Sequence, residues 1–187
     1  MEIYLIRHTQ VALEPGICYG QTDVPVANSF ETEYDQLRAK LPESWTGEIY
    51  SSPLSRCRVL AERLQSRNVQ FDARLQELNF GAWELQRWDE LDADLLKKWT
   101  ANIVDMRCPD GESFREQFNR VAGFWQYLAE TSHTHVFIVT HGGVIRAFLT
   151  FILELPLTNA FRLTVDFGSV TKVHVIDHIP IIDYINR

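Results

Sequence analysis

The sequence predicts an α/β fold, a three-layer sandwich with a mostly parallel central sheet flanked by helices. Continuous apolar runs at residues 3–6 and 136–139 are typical of strands that are buried on both faces. Other segments carry apolar residues at the period of amphipathic helices. Because strands and helices alternate along the chain, the strands are expected to pair mainly in parallel.

Length and charge limit the possible functions. A chain of 187 residues that is 45% hydrophobic suits one domain, residues 1–187. The formal net charge of -7 argues against binding to nucleic acid or to an anionic membrane surface. The sequence has neither a signal-peptide pattern nor an apolar run long enough for a membrane span. We therefore expect a cytoplasmic protein, in which any anionic substrate is attracted by a local cluster of positive charge.

The cysteines and one histidine pair do not have the spacing of a metal site. Cys18, Cys57 and Cys108 are widely separated and form no CxxC motif, which argues against structural zinc and against a disulfide framework. His133 and His135 form a His-x-His pair in a polar loop that leads into a strand, and we interpret them as solvated or structural rather than metal-binding.

The remaining elements follow from the apolar periods and from the turn residues between them. They are predicted as helices at residues 30–41, 54–64, 88–106, 114–128 and 144–153, and as strands at residues 49–50, 69–71, 161–165 and 170–176. Ser52 and Pro53 are typical of a helix N-cap and its first turn. Residues 75–84 break every regular period, and residues 18–25 form a candidate binding loop.

The first strand runs directly into Arg7 and His8. Charged groups are rarely buried without compensation, so this pair is expected in a cleft. Successive strand residues point to opposite faces, and both side chains can face one ligand only if the strand has already ended at Arg7. The alternative is an edge strand that ends in two solvated polar residues.

Arg56 lies in the first turn of a predicted helix. A cation is disfavoured there by the helix dipole, whereas an anion would gain from both the free N–H groups and the guanidinium. An exposed Arg56 paired with Glu62 or with water is the alternative. The buried strand at residues 136–139 ends in a similar way, with His141 and Gly142 before a helix.

The irregular segment at residues 75–84 mixes carboxylates with large apolar side chains. A carboxyl group in such surroundings would be desolvated, which favours its protonated form and suits a general acid. Glu77 and Glu84 are both candidates for that role.

These groups meet at one place if the sheet is parallel. Ligands of such sheets bind beyond the carboxyl ends of the strands, near a reversal of strand order. That rule gathers Arg7, His8, Arg56 and His141 at one edge. Two imidazoles and two guanidiniums can recognise a phosphate and offer it a nucleophile.

Five segments, in order, resemble the motifs of the histidine phosphatase (phosphoglycerate mutase-like) superfamily, namely residues 5–9, 19–25, 51–56, 75–84 and 139–143. The resemblance implies a phosphoglycerate mutase-like fold and phosphoryl transfer from a small-molecule phosphate ester. It also implies that neither a metal nor an organic cofactor is needed, because arginines supply the positive charge.

The resemblance also implies a role for each matching residue. His8 would attack phosphorus and become a phosphohistidine, while Arg7, Arg56 and His141 would surround the phosphate oxygens. Glu77 would protonate the leaving oxygen. The flanking arginines fit this scheme, since like charge favours the neutral form of His8. The implied substrate contacts are Thr9, Tyr19, Gly20, Gln21 and Gly142.

The sequence departs from the mutase pattern in two ways. Glu14 stands where the family often has Asn, so no substrate contact is carried over to that position. The chain is also short for a phosphoglycerate mutase, which favours a phosphatase. Residues 18–23 are similar to the Cys-Tyr-Gly-(Arg/Gln)-Thr-Asp loop of alpha-ribazole phosphatases, which dephosphorylate alpha-ribazole 5'-phosphate or cobalamin 5'-phosphate. Tyr19, with Trp83 or Trp88, would then stack on a flat base, or these rings are ordinary packing. The alternative function is a broad-specificity or sugar-phosphate phosphatase, or a mutase.

Overall fold

One six-stranded sheet organises the structure, a computed structural model that describes residues 1–44, 46–64 and 68–187. The strand order is β3-β2-β4-β1-β5-β6. The strands are β1 (Glu2–Arg7), β2 (Glu48–Ser51), β3 (Val69–Phe71), β4 (His135–Thr140), β5 (Val170–Ile176) and β6 (Ile179–Tyr184).

The first four strands pair in parallel, which confirms the mostly parallel sheet. β5 and β6 extend this sheet in antiparallel fashion beyond β1. β1 and β4 are neighbours, with Arg7 opposite Thr140, so their carboxyl ends lie side by side. Strand order changes direction around them, and this is the position at which parallel sheets bind ligands.

Helices cover both faces of the sheet. The α-helices are α1 (Phe30–Arg38), α2 (Ser55–Leu64), α3 (Ala93–Ala101), α4 (Phe114–Ala129) and α5 (Gly142–Ile152). Single turns of 3-10 helix lie at Ala73–Leu75, Gly81–Trp83 and Trp88–Glu90, and a longer one at Leu157–Arg162. The irregular segment at residues 75–84 is therefore confirmed as neither strand nor α-helix.

Two cores result from the alternation of side chains along the central strands. On one face, α4 and α5 pack on the sheet through a buried cluster that includes Leu5, Ile138, Phe124 and Phe148. On the other face, α1 and α2 pack through a cluster that includes Ile6, Val139, Leu37 and Leu60. The result is the predicted three-layer sandwich.

Several predicted boundaries are wrong. The helix predicted at residues 88–106 is only α3, because the side chain of Asp92 accepts the N–H of Leu95 and starts the helix there. The helix predicted at residues 30–41 ends at Arg38, and the helix after His141 begins at Gly142 rather than at residue 144.

The C-terminal strands also differ from the prediction. Residues 161–165 do not form a strand, since Leu157–Arg162 is a 3-10 helix that packs beside α5. β6 was not predicted, because Pro180 interrupts its pattern. β6 lies at the edge of the sheet, where a strand tolerates proline.

The cysteine and histidine predictions can be compared with the described residues. All three cysteines are buried and free, and burial raises the pKa of Cys18 to about 12. His133 bonds the hydroxyl of Tyr50 at 3.0 Å. Within the described residues, no cluster of three or more His, Cys, Asp or Glu side chains is suited to a metal ion, and no helix could span a membrane.

Candidate active site

Arg7 and His8 share a site although β1 does not end before Arg7. Arg7 is the last residue of the strand, and the N–H of His8 still bonds the carbonyl of Thr140 at 3.0 Å. The expectation that the strand has already broken at Arg7 is wrong, since Arg7 is still part of β1. The side chains of Arg7 and His8 nevertheless both lie beside the ring of Phe167. Nη1 of Arg7 donates to the carbonyl of Val165 at 2.6 Å. The edge-strand alternative is also wrong, since β1 is central.

The two predicted imidazoles lie against each other. The ring centroids of His8 and His141 are 5.1 Å apart, and both side chains are buried. Burial and the positive charges of Arg56 and Arg7 hold the pKa of His8 well below its usual value. Burial, Arg56 and His8 have the same effect on the pKa of His141. Both rings are therefore neutral near pH 7.

The tautomer of His8 follows from one hydrogen bond. Its Nδ1 lies 2.7 Å from the carbonyl oxygen of Thr9. A carbonyl can only accept, so Nδ1 carries the proton and Nε2 keeps its lone pair. That lone pair is what nucleophilic attack on phosphorus requires.

Ser52 does not act as the predicted N-cap. The helix α2 begins at Ser55, three residues later, and the hydroxyl of Ser52 bonds Nε2 of His141 at 2.8 Å. The first N–H of α2 instead donates to the carboxylate of Asp23 at 2.7 Å. A carboxylate does lie at the N-terminus of α2, where the helix dipole favours negative charge, but it belongs to a side chain of the loop at residues 18–25 and not to a ligand.

Arg56 is fully buried in the site. Its guanidinium donates to the carbonyls of Thr22 at 3.1 Å and Gly20 at 2.5 Å. The alternative of an exposed Arg56 paired with Glu62 is wrong, since Glu62 pairs with Arg58.

The loop at residues 18–25 is built around Gly20 and Gln21. A Cβ on Gly20 would overlap the carbonyl oxygen of Leu78, so only glycine fits there. The side-chain amide of Gln21 donates to the carbonyl of Glu77 at 3.1 Å. Tyr19 lies over Arg56, with 5.2 Å from its ring centroid to the guanidinium carbon.

Glu84 has a structural role in the site. Its carboxylate accepts the backbone N–H groups of Gln21, Thr22 and Phe80 at 2.5–3.0 Å. Burial alone would raise the pKa of Glu84, but these hydrogen bonds outweigh burial and lower it. Glu84 therefore fastens the loop at residues 18–25 to the segment at residues 75–84.

Glu77 lies at the other candidate position, beside the start of α5. Its carboxylate accepts the N–H groups of Leu78 at 2.9 Å and Gly143 at 3.0 Å, and the amide of Gln117 at 2.8 Å. A Cβ on Gly143 would overlap this carboxylate. The second glycine after His141 thus allows Glu77 to approach.

Three residues that the sequence analysis did not select also lie here: Gln117, Arg146 and Phe167. A hydrogen bond from Arg146 Nε reaches the carbonyl of Leu163 at 3.0 Å. Burial lowers the pKa of Arg146, against the opposite effect of Glu77 and Asp166. A polar residue within the apolar stripe of a predicted helix was the signal for Gln117, and the sequence held no comparable signal for Phe167.

The site holds polar atoms that lack a partner. Within the described residues, the buried atoms without one include Nε of Arg7 and Arg56, Oγ1 of Thr9, Oε1 of Gln117 and Oγ of Ser169. None of the salt bridges among these residues involves Arg7, Arg56 or Arg146. Because unpaired buried donors and cations are costly, the arrangement is suited to an anion that accepts from several of them.

Two further residues from the sequence analysis, Gly142 and Trp83, lie in different surroundings. Gly142 opens α5 next to Arg7, whose Nε lies 3.4 Å from the position of a Cβ on that glycine. Trp83 is buried against Trp99, with ring centroids 5.4 Å apart, and belongs to a separate apolar cluster. Stacking of a substrate on Trp83 is therefore wrong, and its ring serves packing.

Comparison with known proteins identifies the family. A family model described as the histidine phosphatase superfamily (branch 1) matches residues 3–187. The chain belongs to this superfamily. The resemblance of the five motifs to this superfamily is therefore confirmed. The protein is a histidine phosphatase superfamily enzyme of the phosphatase or mutase type.

Individual relatives in this superfamily carry different names. The chain is 31% identical over 183 residues to "Probable phosphoglycerate mutase GpmB" of Shigella boydii, covering 92% of this chain and 84% of that protein. The alpha-ribazole phosphatase from Shigella flexneri superposes with a TM-score of 0.92 at 22% identity, covering 100% of this chain and 96% of that one.

A third relative has been solved with a phosphate ester. The phosphoserine phosphatase of Entamoeba histolytica, in complex with 3-phosphoglyceric acid, superposes with a TM-score of 0.84 at 22% identity. The alignment covers 100% of this chain and 96% of that one. These structural similarities confirm the phosphoglycerate mutase-like fold.

Proposed function

We propose that this histidine phosphatase is a phosphomonoesterase that works through a phosphohistidine at His8. The observation that carries the proposal is the pair of neutral, buried imidazoles 5.1 Å apart, flanked by Arg7 and Arg56, whose buried Nε atoms have no hydrogen-bond partner. The orientation of His8, with its proton on Nδ1, leaves Nε2 free for attack.

In the first step, the lone pair of His8 Nε2 forms a bond to phosphorus as the bond from phosphorus to the alcohol oxygen breaks. Glu77 gives its proton to that oxygen, so the product leaves as a neutral alcohol. Arg7, Arg56 and His141 stabilise the charge on the three remaining phosphoryl oxygens.

In the second step, water attacks the phosphohistidine. Glu77 takes a proton from the water as the new P–O bond forms, and the P–N bond electrons return to His8. The products are inorganic phosphate and the starting enzyme. In this proposal the arginines supply the positive charge for both steps, and the chemistry needs neither a metal nor an organic cofactor.

For the substrate, we propose alpha-ribazole 5'-phosphate. The loop at residues 18–23 supports this choice, as does the similarity of the whole chain to a structure named as an alpha-ribazole phosphatase. The competing candidates are phosphoserine and 3-phosphoglycerate, because relatives are named for those compounds. A substrate panel that includes all three and fructose 2,6-bisphosphate separates them, and comparable rates across the panel would contradict the cobalamin-related substrate.

The proposal extends to the partners and the domain. A small phosphate ester, and not nucleic acid, is the expected partner, and the net charge of -7 supports this. Residues 1–187 are proposed to form one domain, supported by the single sheet that connects both halves of the chain. A cytoplasmic location stays a prediction.

The first testable prediction concerns the nucleophile. We expect brief incubation with a phosphate ester labelled with radioactive phosphorus to leave an acid-labile, base-stable label on the enzyme, because phosphoramidates have that stability. His8→Ala should not be labelled and should lose turnover by at least about 100-fold. Equal turnover by this variant would refute the proposed function. His178→Ala, an exposed histidine, is the matched control and should keep both label and turnover.

A further inference from the structure

Phe167 places an exposed aromatic ring directly beside the proposed nucleophile. It lies in the turn before β5 and is 37% exposed, whereas the three apolar clusters of the described residues do not include it. The guanidinium carbon of Arg7 is 3.7 Å from its ring centroid, and the ring centroid of His8 is 5.5 Å away. A single exposed apolar residue is common on proteins, but its position here is not explained by packing.

The ring is held by the backbone on either side of it. The N–H of Gly168 donates to the carbonyl of His8 at 3.1 Å, and the N–H of Arg7 donates to the carbonyl of Ser169 at 3.0 Å. Gly168 has a φ of +61°, which allows the tight turn that brings these groups together. Phe167 is therefore fixed relative to His8, as a preorganised binding surface should be.

A second ring stands on the other arginine of the site. Tyr19 lies over Arg56, and burial raises the pKa of Tyr19, so its hydroxyl stays neutral. Glu77 accepts the N–H of Gly143, and the preceding Gly142 lies against Arg7. Gln21 donates to the carbonyl of Glu77 at 3.1 Å, so the loop that carries Tyr19 also borders the proposed proton donor. The alcohol that receives this proton therefore leaves through a region bordered by aromatic rings.

We propose that Phe167 forms a wall of the subsite for the leaving alcohol and favours alcohols that carry a flat aromatic ring. This inference rests on the proposed function, because attack by His8 defines where the alcohol leaves. Arg7 covers one face of the Phe167 ring, and the exposed part can stack on a second ring in an offset arrangement.

The test compares two esters that differ only in aromaticity. 2-Phenylethyl phosphate and 2-cyclohexylethyl phosphate contain the same type of phosphate bond and similar apolar volume. We expect the wild-type enzyme to show kcat/KM roughly three- to tenfold higher for the aromatic ester, the range for an aromatic pair. In Phe167→Leu that ratio should fall to about one. General damage to the site lowers both rates and leaves the ratio unchanged.

Phe71→Leu is the matched control. Phe71 is also exposed, at 44%, and also lies near an arginine, with Arg58 at 5.5 Å from its ring centroid, but it is on the edge strand β3. This variant should keep the wild-type ratio. If Phe167→Leu does not fold, Phe167→Trp is measured instead. This variant should keep or raise the ratio of kcat/KM values because its ring is larger.

The possible outcomes separate this inference from the proposed function. Hydrolysis of both esters with equal kcat/KM, an unchanged ratio in Phe167→Leu, a lowered ratio in Phe167→Trp, or a preference for O-phosphoserine over the aromatic ester would refute the role of Phe167 alone. Failure of the wild-type enzyme to hydrolyse any ester, or full activity of His8→Ala, would refute the proposed function and this inference with it.

Discussion

Gln117 shows how one buried polar side chain can support a site. It is fully buried on a face of α4 that otherwise consists of apolar residues such as Phe114, Val121 and Phe124. Burial of an amide is costly unless hydrogen bonds compensate, and Gln117 makes one of 2.8 Å to Glu77. We therefore interpret Gln117 as a positioning residue for Glu77.

The prediction at this scale is selective damage in Gln117→Leu. Loss of the amide should leave Glu77 poorly aimed and lower kcat/KM for alkyl phosphates about tenfold, a part of what a general acid contributes. The kcat/KM for p-nitrophenyl phosphate should change less than about threefold, because kcat/KM reports the step in which the alcohol leaves and this leaving group needs little protonation. Parallel assays of both substrates provide the measurement.

Glu77→Gln is the control for this prediction. It removes the proposed proton donor but keeps the side-chain shape, and should show the same selectivity with a larger loss. If Gln117→Leu slows both substrates equally, the amide only supports the fold, and the positioning role is wrong.

At the scale of elements, α2 and the loop at residues 18–25 act as one unit. Asp23 binds the first N–H of the helix, and the hydroxyl of Ser55 donates to the carbonyl of Val24 at 3.1 Å. In return, Arg56 is held by loop carbonyls, including that of Gly20. The loop therefore decides where the guanidinium of Arg56 lies.

We expect Asp23→Ala to affect both stability and catalysis. Loss of a carboxylate cap lowers the free energy of unfolding by about 0.5–2 kcal/mol. Because the loop then no longer holds Arg56, kcat/KM should also fall severalfold. Asp92→Ala removes a similar cap from α3, away from the site, and should lower stability alone. Urea unfolding and steady-state kinetics of both variants are the measurements. If Asp23→Ala keeps the wild-type kcat/KM, the coupling between the loop and Arg56 is wrong.

At the scale of the whole molecule, two neutral imidazoles are buried at the carboxyl ends of the two central strands. His8 and His141 both have a pKa held well below the usual value, mainly by burial. In the unfolded chain they regain an ordinary pKa of about 6.5. Below that pH the unfolded state binds more protons than the folded state, so acid favours unfolding.

The stability of the protein should therefore fall as the pH is lowered through about 6.5, in buffer without phosphate. This contribution is fully present above that pH and is lost as the pH falls toward the lower folded pKa. Each histidine steepens the dependence of the unfolding free energy by up to about 1.4 kcal/mol per pH unit. In a series of urea unfolding measurements at different pH, the unfolding free energy of His8→Gln should depend less steeply on pH below about 6.5 than that of the wild type.

Many features of this fold follow from local sequence patterns. The apolar runs at residues 3–6 and 136–139 identify the central strands, because a strand buried on both faces has few alternatives to continuous apolar residues. The polar residues that directly follow these runs, His8 and His141, must then lie at the carboxyl ends of the strands. Neighbouring parallel strands bring these ends together, so the convergence of the two rings was predictable.

Contacts between distant segments were not predictable. The choice between Glu77 and Glu84 depends on which backbone N–H groups surround each carboxylate, and these belong to other parts of the chain. Gln117 meets Glu77 across 40 residues, and Arg7 meets Val165 across 158. The positions of Arg146 and Phe167 likewise follow from how α5 and the turn before β5 pack on β1.

The sequence by itself therefore determined the class of fold, the superfamily and the residues at the ends of the central strands. The tertiary structure alone decided which carboxylate faces those residues, what holds it, and which aromatic ring borders the nucleophile. The physical reason is that burial and backbone period repeat along the chain, whereas hydrogen bonds and ring contacts in the site join side chains that only packing brings together.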